Sequence, residues 1–333
     1  MTRRVLALPS LLLAAGCASQ SFIDDVAFLK SHTEVVVLQD RDSDARVAVC
    51  PALQGRVMTS TATGAGGWSY GWIDRASLFH GVEDCFRMRP GGGPFDVAMK
   101  RPDSLLLRKK ISLANASDLD VQREIHMLDK SEIACHLAIL PGPEVRSVAY
   151  ESRNKVTYTG NTAETGPFSI RILGMFNSSP ATTVVIPYRE GPADKLGPVA
   201  GERVPPDRLR VEKGVLFFKG NGKIAVSPQR SLGILGSYDS DRGALTIIQF
   251  KPPKGPFDSA HGRPLDGAHS ADDFPASSDA KACELESFSP TLTLRPGQSH
   301  LHIHRTFHFQ GPHADLDAIA KRVLGMDLEQ IAR

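Results

Sequence analysis

The segment SHLHIHRTFHF, Ser299 to Phe309, places four histidines in nine residues, all at even positions: His300, His302, His304 and His308. In a strand, side chains alternate between two faces, so the four imidazoles share one face. Leu301, Ile303, Phe307 and Phe309 share the other, which reads as a core face. His302 and His304 stand roughly 6.6 Å apart along such a strand, a spacing that suits two ligands of one metal ion. No third ligand is evident and His308 lies too far along the strand, so no metal is assigned. The face can instead line a polar cleft or stand partly in solvent. The solvated face is the plainest of these readings.

Other residue groups carry chemistry of their own. Glu284 and Glu286 in CELESFSP alternate with Cys283, Leu285 and Ser287, so the two carboxylates share a face. One of them, taken here as Glu286, could act as a base on a sugar hydroxyl or C–H with a histidine as acid. Their placement on one strand does not match carboxylates that flank a glycosidic bond. FHGVEDCFRMRPGGG gathers His80, Glu83, Asp84, Arg87 and Arg89. It is either a loop that binds a polar ligand, with arginine gripping a carboxylate or paired hydroxyls, or a turn held by Asp and Arg. Its glycines lack the Lys-Ser/Thr and following helix of a phosphate loop. Trp68, Tyr70 and Trp72 alternate, so their rings form a stacking platform or ordinary core. Tyr238 in GSYD ends a strand and could face the same cleft. The candidates are then Glu286, His304 and His80 for catalysis, and Glu83, Asp84, Arg87, Trp72, Tyr238 and His302 for ligand binding.

The elements that must position these residues are mostly strands. Segments such as EVVVLQD, SLLLRKKISL, VQREIHML, EIACHLAIL, FSIRILGMF and ALTIIQF have the two-residue period and are separated by Gly, Pro, Asn or Asp. More than a dozen of them predict an all-β chain, a large antiparallel sandwich or barrel. FIDDVAFLKSHT predicts one short helix. DLDAIAKRVLGMDLEQIAR predicts another, with Leu316, Ile319, Ala320 and Val323 on one face and Asp315 as its cap. KPPKGPFDSAHGRPLDGAHSADDFPASSDAKA is a long polar loop, a candidate rim for a site.

The start of the chain concerns its compartment. MTRR, the apolar run VLALPSLLLAAG and Cys17 form a secretory signal with the lipobox LAAGC. The run is too short to span a bilayer as a helix. Removal of residues 1–16 takes away Arg3 and Arg4 and no acid, so the formal charge of +2 falls to zero. No basic stripe remains for nucleic acid. Four cysteines are left, Cys50, Cys85, Cys135 and Cys283; without a C-x-x-C pair they fit two disulfides or buried thiols equally. The expected organisation is a signal peptide (1–16), a lipidated tether with a short helix (17–30), a β domain (31–312) and a C-terminal helix packed on it (313–333).

From about Phe28 to Ile331 the chain resembles a family of bacterial secreted proteins classed with the galactose-mutarotase-like, or β-supersandwich, proteins. The phrases that carry the resemblance are VAVCPALQGRVMTSTA, GVED with GG and Phe95 after it, SVAYESRN, TTVVIPY, LGSYDS, ELESFSPTLTLRPGQS and HIHRTFHFQG. It implies two large, curved antiparallel sheets with a carbohydrate cleft on the concave face; the separate resemblance of LAAGC to the lipobox of bacterial lipoproteins implies lipidation of Cys17. Cys85, Arg87 and Gly91 stand where that family usually has Arg, Trp and Glu, and residues 253–280 lack its Asn/Tyr/Trp-rich phrase. These departures point to an altered or degenerate pocket, and no mutarotase catalytic residue carries over by position. The expectation is therefore an envelope lipoprotein, facing the periplasm or the cell exterior, that binds carbohydrate or another small polar ligand without cofactor. A sugar epimerase or lyase using Glu286, a metal protein using the histidine row and a structural envelope protein are the alternatives.

Overall fold

The computed structural model describes residues 21–76, 82–88, 93–113, 117–197, 199–202, 206–219, 223–252, 266–270 and 282–333. Residues 1–20 with Cys17, together with His80, Arg89, Gly91 and most of 253–281, lie outside these residues.

In chain order the elements are α1 (Phe22–Lys30), β1 (Val36–Gln39), β2 (Arg46–Cys50), β3 (Arg56–Thr61), β4 (Cys85–Arg87), β5 (Asp96–Lys100), β6 (Ser104–Leu113), β7 (Ser117–Met127) and α2 (Lys130–Leu137). There follow β8 (Arg146–Tyr158), β9 (Arg171–Asn177), β10 (Thr182–Pro187), α3 (Ala193–Leu196), β11 (Val199–Glu202), β12 (Leu209–Glu212), β13 (Val215–Lys219) and β14 (Lys223–Val226). The last are β15 (Ile234–Asp239), β16 (Ala244–Phe250), β17 (Asp266–Ser270), β18 (Ala282–Phe288), β19 (Ser299–Gln310), α4 (His313–Leu324) and α5 (Leu328–Ala332).

Ten strands form one antiparallel sheet in the order β12-β13-β10-β15-β16-β19-β8-β7-β6-β5, and six form a second, β11-β14-β17-β18-β9-β4. A three-stranded sheet, β1-β2-β3, completes the set. The histidine strand β19 is central to the large sheet, paired over twelve residues with β8 and over seven with β16. From Thr306 to Phe309 it is buried on both faces, whereas Leu301, which reads as core from the sequence, is exposed. One cluster, with Val121, Ile125, Tyr150 and Phe86, packs between the sheets at one end. Another, with Phe176, Ile248, Phe250 and Leu285, packs there at the other.

The far face of the large sheet is closed by helices. Phe307 and Phe309 of β19 join Leu245, Ile247 and Phe217 beneath Leu316, Ile319, Ala320 and Leu324 of α4 and Leu328 and Ile331 of α5. The helical stripe expected at Leu316, Ile319 and Ala320 is thus the buried one. The C-terminal segment is nevertheless two helices. Gly325 takes the left-handed conformation at φ 76° and stops α4, and Asp327 with Gln330 forms a capping box that starts α5. Asp315 does not cap: the helix begins after Pro312, two residues earlier, and Asp315 lies in its first turn.

EIACHLAIL, which reads as a strand, is largely α2. Asp129 and Glu132 form a reciprocal capping box ahead of it, and Ile133 and Leu137 bury one side at helical spacing. The consequence for Cys135 is exposure, whereas Cys50, Cys85 and Cys283 are buried; none of the four thiols is bridged.

Leu316 is fully buried beneath the sheet, so Leu316→Ala leaves a cavity there. It should lower unfolding stability by about 2–5 kcal/mol in urea denaturation. A loss below about 0.5 kcal/mol would mean that α4 is only loosely docked.

Candidate functional site

The inward face of β19 meets the six-stranded sheet across a layer of buried polar side chains. His302, His304, Thr306 and His308 are each 3% exposed or less, so the partly solvated histidine face expected from the sequence is not what forms. The reason is the central position of β19: the face opposite its aromatic core packs on a second sheet instead of water. This layer separates the two apolar clusters between the sheets. His308 stacks on Tyr70 of one, centroids 4.2 Å apart and 9° between planes, and meets Phe176 of the other edge-on at 5.2 Å.

Arg123 anchors the layer. It projects from β7 on a face otherwise made of Leu119, Val121 and Ile125, and is fully buried. Its Nε donates to the Gly55 carbonyl at 2.9 Å, Nη1 to Asn154 Oδ1 at 2.5 Å, and Nη2 to Asp84 Oδ1 at 2.5 Å and the Asp84 carbonyl at 3.3 Å. Gly55 offers that carbonyl from a left-handed conformation, φ 61°, where an added Cβ would stand 2.6 Å from Leu107. Asn154 extends the chain through its Nδ2, which donates to the carbonyls of Ser152 and His302. Breaking such a buried pair on one side typically costs 3–5 kcal/mol, because the remaining charge is uncompensated.

Ser287 on β18 faces the histidines. Its Oγ lies 3.0 Å from His302 Nε2 and 2.8 Å from His304 Nδ1. Burial pushes both imidazoles down, to about 3 for His302 and about 4 for His304. The neighbouring histidines add to the effect at His302, while the Asp84 carboxylate opposes it at both. Both rings are therefore neutral at neutral pH. His308 makes the third node: Nδ1 contacts Thr246 Oγ1 at 2.9 Å and Nε2 contacts Glu83 Oε1 at 3.0 Å, which also accepts from Ser60 at 2.6 Å. His304 Nε2, Asp84 Oδ2 and Glu83 Oε2 are buried without a hydrogen-bond partner.

Four of the sequence candidates thus lie in one place: Glu83, Asp84, His302 and His304. The others stand apart. Ser287 points at the histidines, so its neighbour Glu286 points through the opposite face of β18, where it is ion-paired with Arg171. Glu286 and His304 are on opposite sides of a strand, and the proposed acid/base pair is not assembled. Arg87 is register partner of Arg171 on that same opposite face. Trp72 packs with Leu173 and Met175 there, away from Trp68 and Tyr70. Tyr238 lies under the C-terminal helices, because its register partners Thr183 and Leu245 put it on the outward face of the large sheet. His80 is outside the described residues. Among the described residues no three His, Cys, Asp or Glu side chains gather as a metal site.

Arg123, Asn154, Ser152, Ser287, Ser60 and Thr246 were not singled out from the sequence. One signal was present: Arg123 interrupts the alternating apolar face Leu119, Val121, Ile125, where an arginine must find buried acceptors.

Comparison with known proteins follows the fold. A protein family described as "Family of unknown function (DUF6786)" matches residues 20–93 and 91–333. No curated protein matches the chain. A galactose mutarotase-like protein from Lactobacillus casei superposes with a TM-score of 0.56 at 10% identity, over 83% of this chain and all of that one. A putative aldose 1-epimerase from Escherichia coli gives 0.54 at 13% identity, over 84% of this chain and 100% of its own. The galactose mutarotase related enzyme of Lactobacillus acidophilus gives 0.52 at 8%, over 83% and 97%. The chain therefore has the galactose-mutarotase-like fold that its sequence resembles.

The neutral histidines fix a pH dependence. A folded imidazole with a depressed pKa binds fewer protons than the unfolded one, so stability falls as pH drops below about 6.5. For His302 and His304 the loss runs until about 3 and 4. Urea midpoints should therefore decline from pH 6.5 toward 4, each histidine contributing about 1.4 kcal/mol per pH unit. His304→Gln should remove one proton from that slope. A slope identical to that of the parent would show that His304 is not held neutral.

Proposed function

We propose that this chain, which belongs to the DUF6786 family, binds a carbohydrate in the polar layer between its two sheets and does not turn it over. The observation that carries the reading is the set of buried polar atoms without partners, His304 Nε2, Asp84 Oδ2 and Glu83 Oε2, beside a fixed guanidinium. Buried polar groups are costly unless satisfied, by protein, by water or by a ligand. A sugar offers hydroxyls, each able to donate and to accept, which suits one imidazole nitrogen and two carboxylate oxygens. The fold neighbours named for mutarotation and aldose epimerisation support a sugar as the class of ligand.

Binding without turnover follows from what the carboxylates already do. Glu286 is engaged by Arg171 on the far side of β18. Glu83 Oε1 already accepts from Ser60 and contacts His308. Neither leaves a free acid/base pair across the layer. Because the unpartnered atoms are buried, a sugar reaches them only when covering groups move, and association is gated. The lipobox supports an extracytoplasmic lipoprotein held to the membrane through Cys17.

A thermal-shift panel of neutral and acidic mono- and oligosaccharides tests the binding. A ligand at a hundred times its dissociation constant adds about 2.7 kcal/mol, so a sugar-specific rise is expected, and His304→Gln should reduce it. NMR of the bound sugar should show no change in anomer ratio or configuration beyond the spontaneous rate. A flat panel would sink the carbohydrate reading and leave a structural envelope protein. Membrane attachment is checked separately: Cys17→Ser should move the chain from the membrane fraction to the soluble fraction.

A further inference from the structure

On the opposite face of β19 from His302 and His304 lies a separate groove of about 390 Å³, lined by Cys135, His136, Leu232, Ile234, Gln249, Lys251 and Arg305 among others. Its volume falls in the range of small-molecule sites. Gln249 on β16 and Arg305 on β19 form its floor, and Glu151 on β8 is the next residue in the same cross-strand row. Arg305 Nη1 donates to Gln249 Oε1 at 3.2 Å, and its Nη2 pairs with Glu151 Oε2 at 2.6 Å. These contacts fix Arg305, whose side chain is 19% exposed.

The charge of the groove is unbalanced. Glu151 is shared between Arg305 and Arg153, with Arg153 also reaching Glu124 at 3.8 Å. Lys251 has no ion-pair partner among the described residues and is exposed at the rim. Burial and the nearby Arg305 lower the His136 pKa from its ordinary value, which disfavours a positive charge there. The last turn of α2 would present a carbonyl, and with it partial negative charge, to the groove. Gln249 Nε2 takes up the His136 carbonyl at 2.9 Å and quiets that repulsion. Leu232, 46% exposed, supplies an apolar wall. Gly233 beside it sits at φ 73°, where a Cβ would stand 2.3 Å from the Phe250 carbonyl, so the wall is brought tight against β16.

We propose that this groove is a second binding site, for a small organic carboxylate whose anionic end meets Lys251 and Arg305 and whose body lies along Leu232. The site is independent of the polar layer between the sheets. The carboxylate can come from an acidic sugar or from an aromatic or aliphatic acid.

Cys135 gives the readout, because it is exposed in the groove wall while Cys50, Cys85 and Cys283 are buried. Iodoacetamide labelling of the full chain is followed at the Cys135 peptide by mass spectrometry. The added probes are glucuronate or benzoate, their neutral counterparts glucose or benzamide, and sodium chloride at equal ionic strength. Either carboxylate at ten times its dissociation constant should slow labelling by about tenfold, from simple occupancy, with no slowing by the neutral probes or salt. Glucuronate alone would identify an acidic sugar, benzoate alone an acid with an apolar body. Lys251→Glu should abolish the protection, and His304→Gln should leave it intact. Equal protection by the neutral probes or by salt, no protection at all, or protection that survives Lys251→Glu would each overturn the proposal.

Discussion

The Arg123–Asp84 pair is the constraint on which the rest of the layer depends. Neither side chain reaches water, and an isolated buried charge is prohibitively expensive. Each therefore forces structure around it. Asp84 must lie inward at the start of β4, and its backbone is pinned there by reciprocal bonds with Val57 of β3. Gly55 must turn its carbonyl toward the guanidinium. Asn154 must stand opposite Arg123 on β8, which the register Arg123↔Asn154 provides. One ion pair thereby ties the three-stranded, six-stranded and ten-stranded sheets together at one point.

Given that anchor, β19 has two faces of opposite character. Its outward face is sealed at Phe307 and Phe309, where the helices cover it through apolar contact, and opens toward Arg305 and Leu301. Its inward face is polar and holds its groups by hydrogen bonds to Ser287, Thr246 and Glu83. Apolar packing tolerates approximate geometry; a buried hydrogen-bonded layer does not, because each mismatch leaves a polar atom exposed to low dielectric. Registry between the two sheets is accordingly specified at the histidines, with the apolar clusters on either side filling what remains.

The two-residue period made the sheets legible, and helical spacing revealed Leu316, Ile319 and Ala320. EIACHLAIL misled because a short apolar run fits a buried strand and a helix equally, and the deciding capping residue, Asp129, lies outside the run. Alternation correctly grouped His302 with His304, and Glu284 with Glu286. It carries no information on which side of a strand another sheet will lie, so Glu286 was joined to a histidine that it never faces. Tyr238 failed in the same way. Arg123 and Asp84 meet across 39 residues of chain, and no local pattern encodes such a pairing. Glu83 and Asp84 stood out because FHGVEDCFRMRPGGG crowds them with His80, Arg87 and Arg89.

The Ser287 hydroxyl has one hydrogen and sits between two neutral imidazoles. When that hydrogen lies toward His302 Nε2, His304 Nδ1 supplies a hydrogen to the serine oxygen and its Nε2 is left bare. When it lies toward His304 Nδ1, the ring must carry its hydrogen on Nε2 instead. The hydroxyl orientation and the two ring tautomers are thus coupled. Passing from one arrangement to the other needs a hydrogen exchanged between the two nitrogens of each ring as well as the rotation. Through this coupling His304 can offer the layer either a lone pair or an N–H without any change of net charge. In neither arrangement is the surrounding low dielectric asked to hold a new ion.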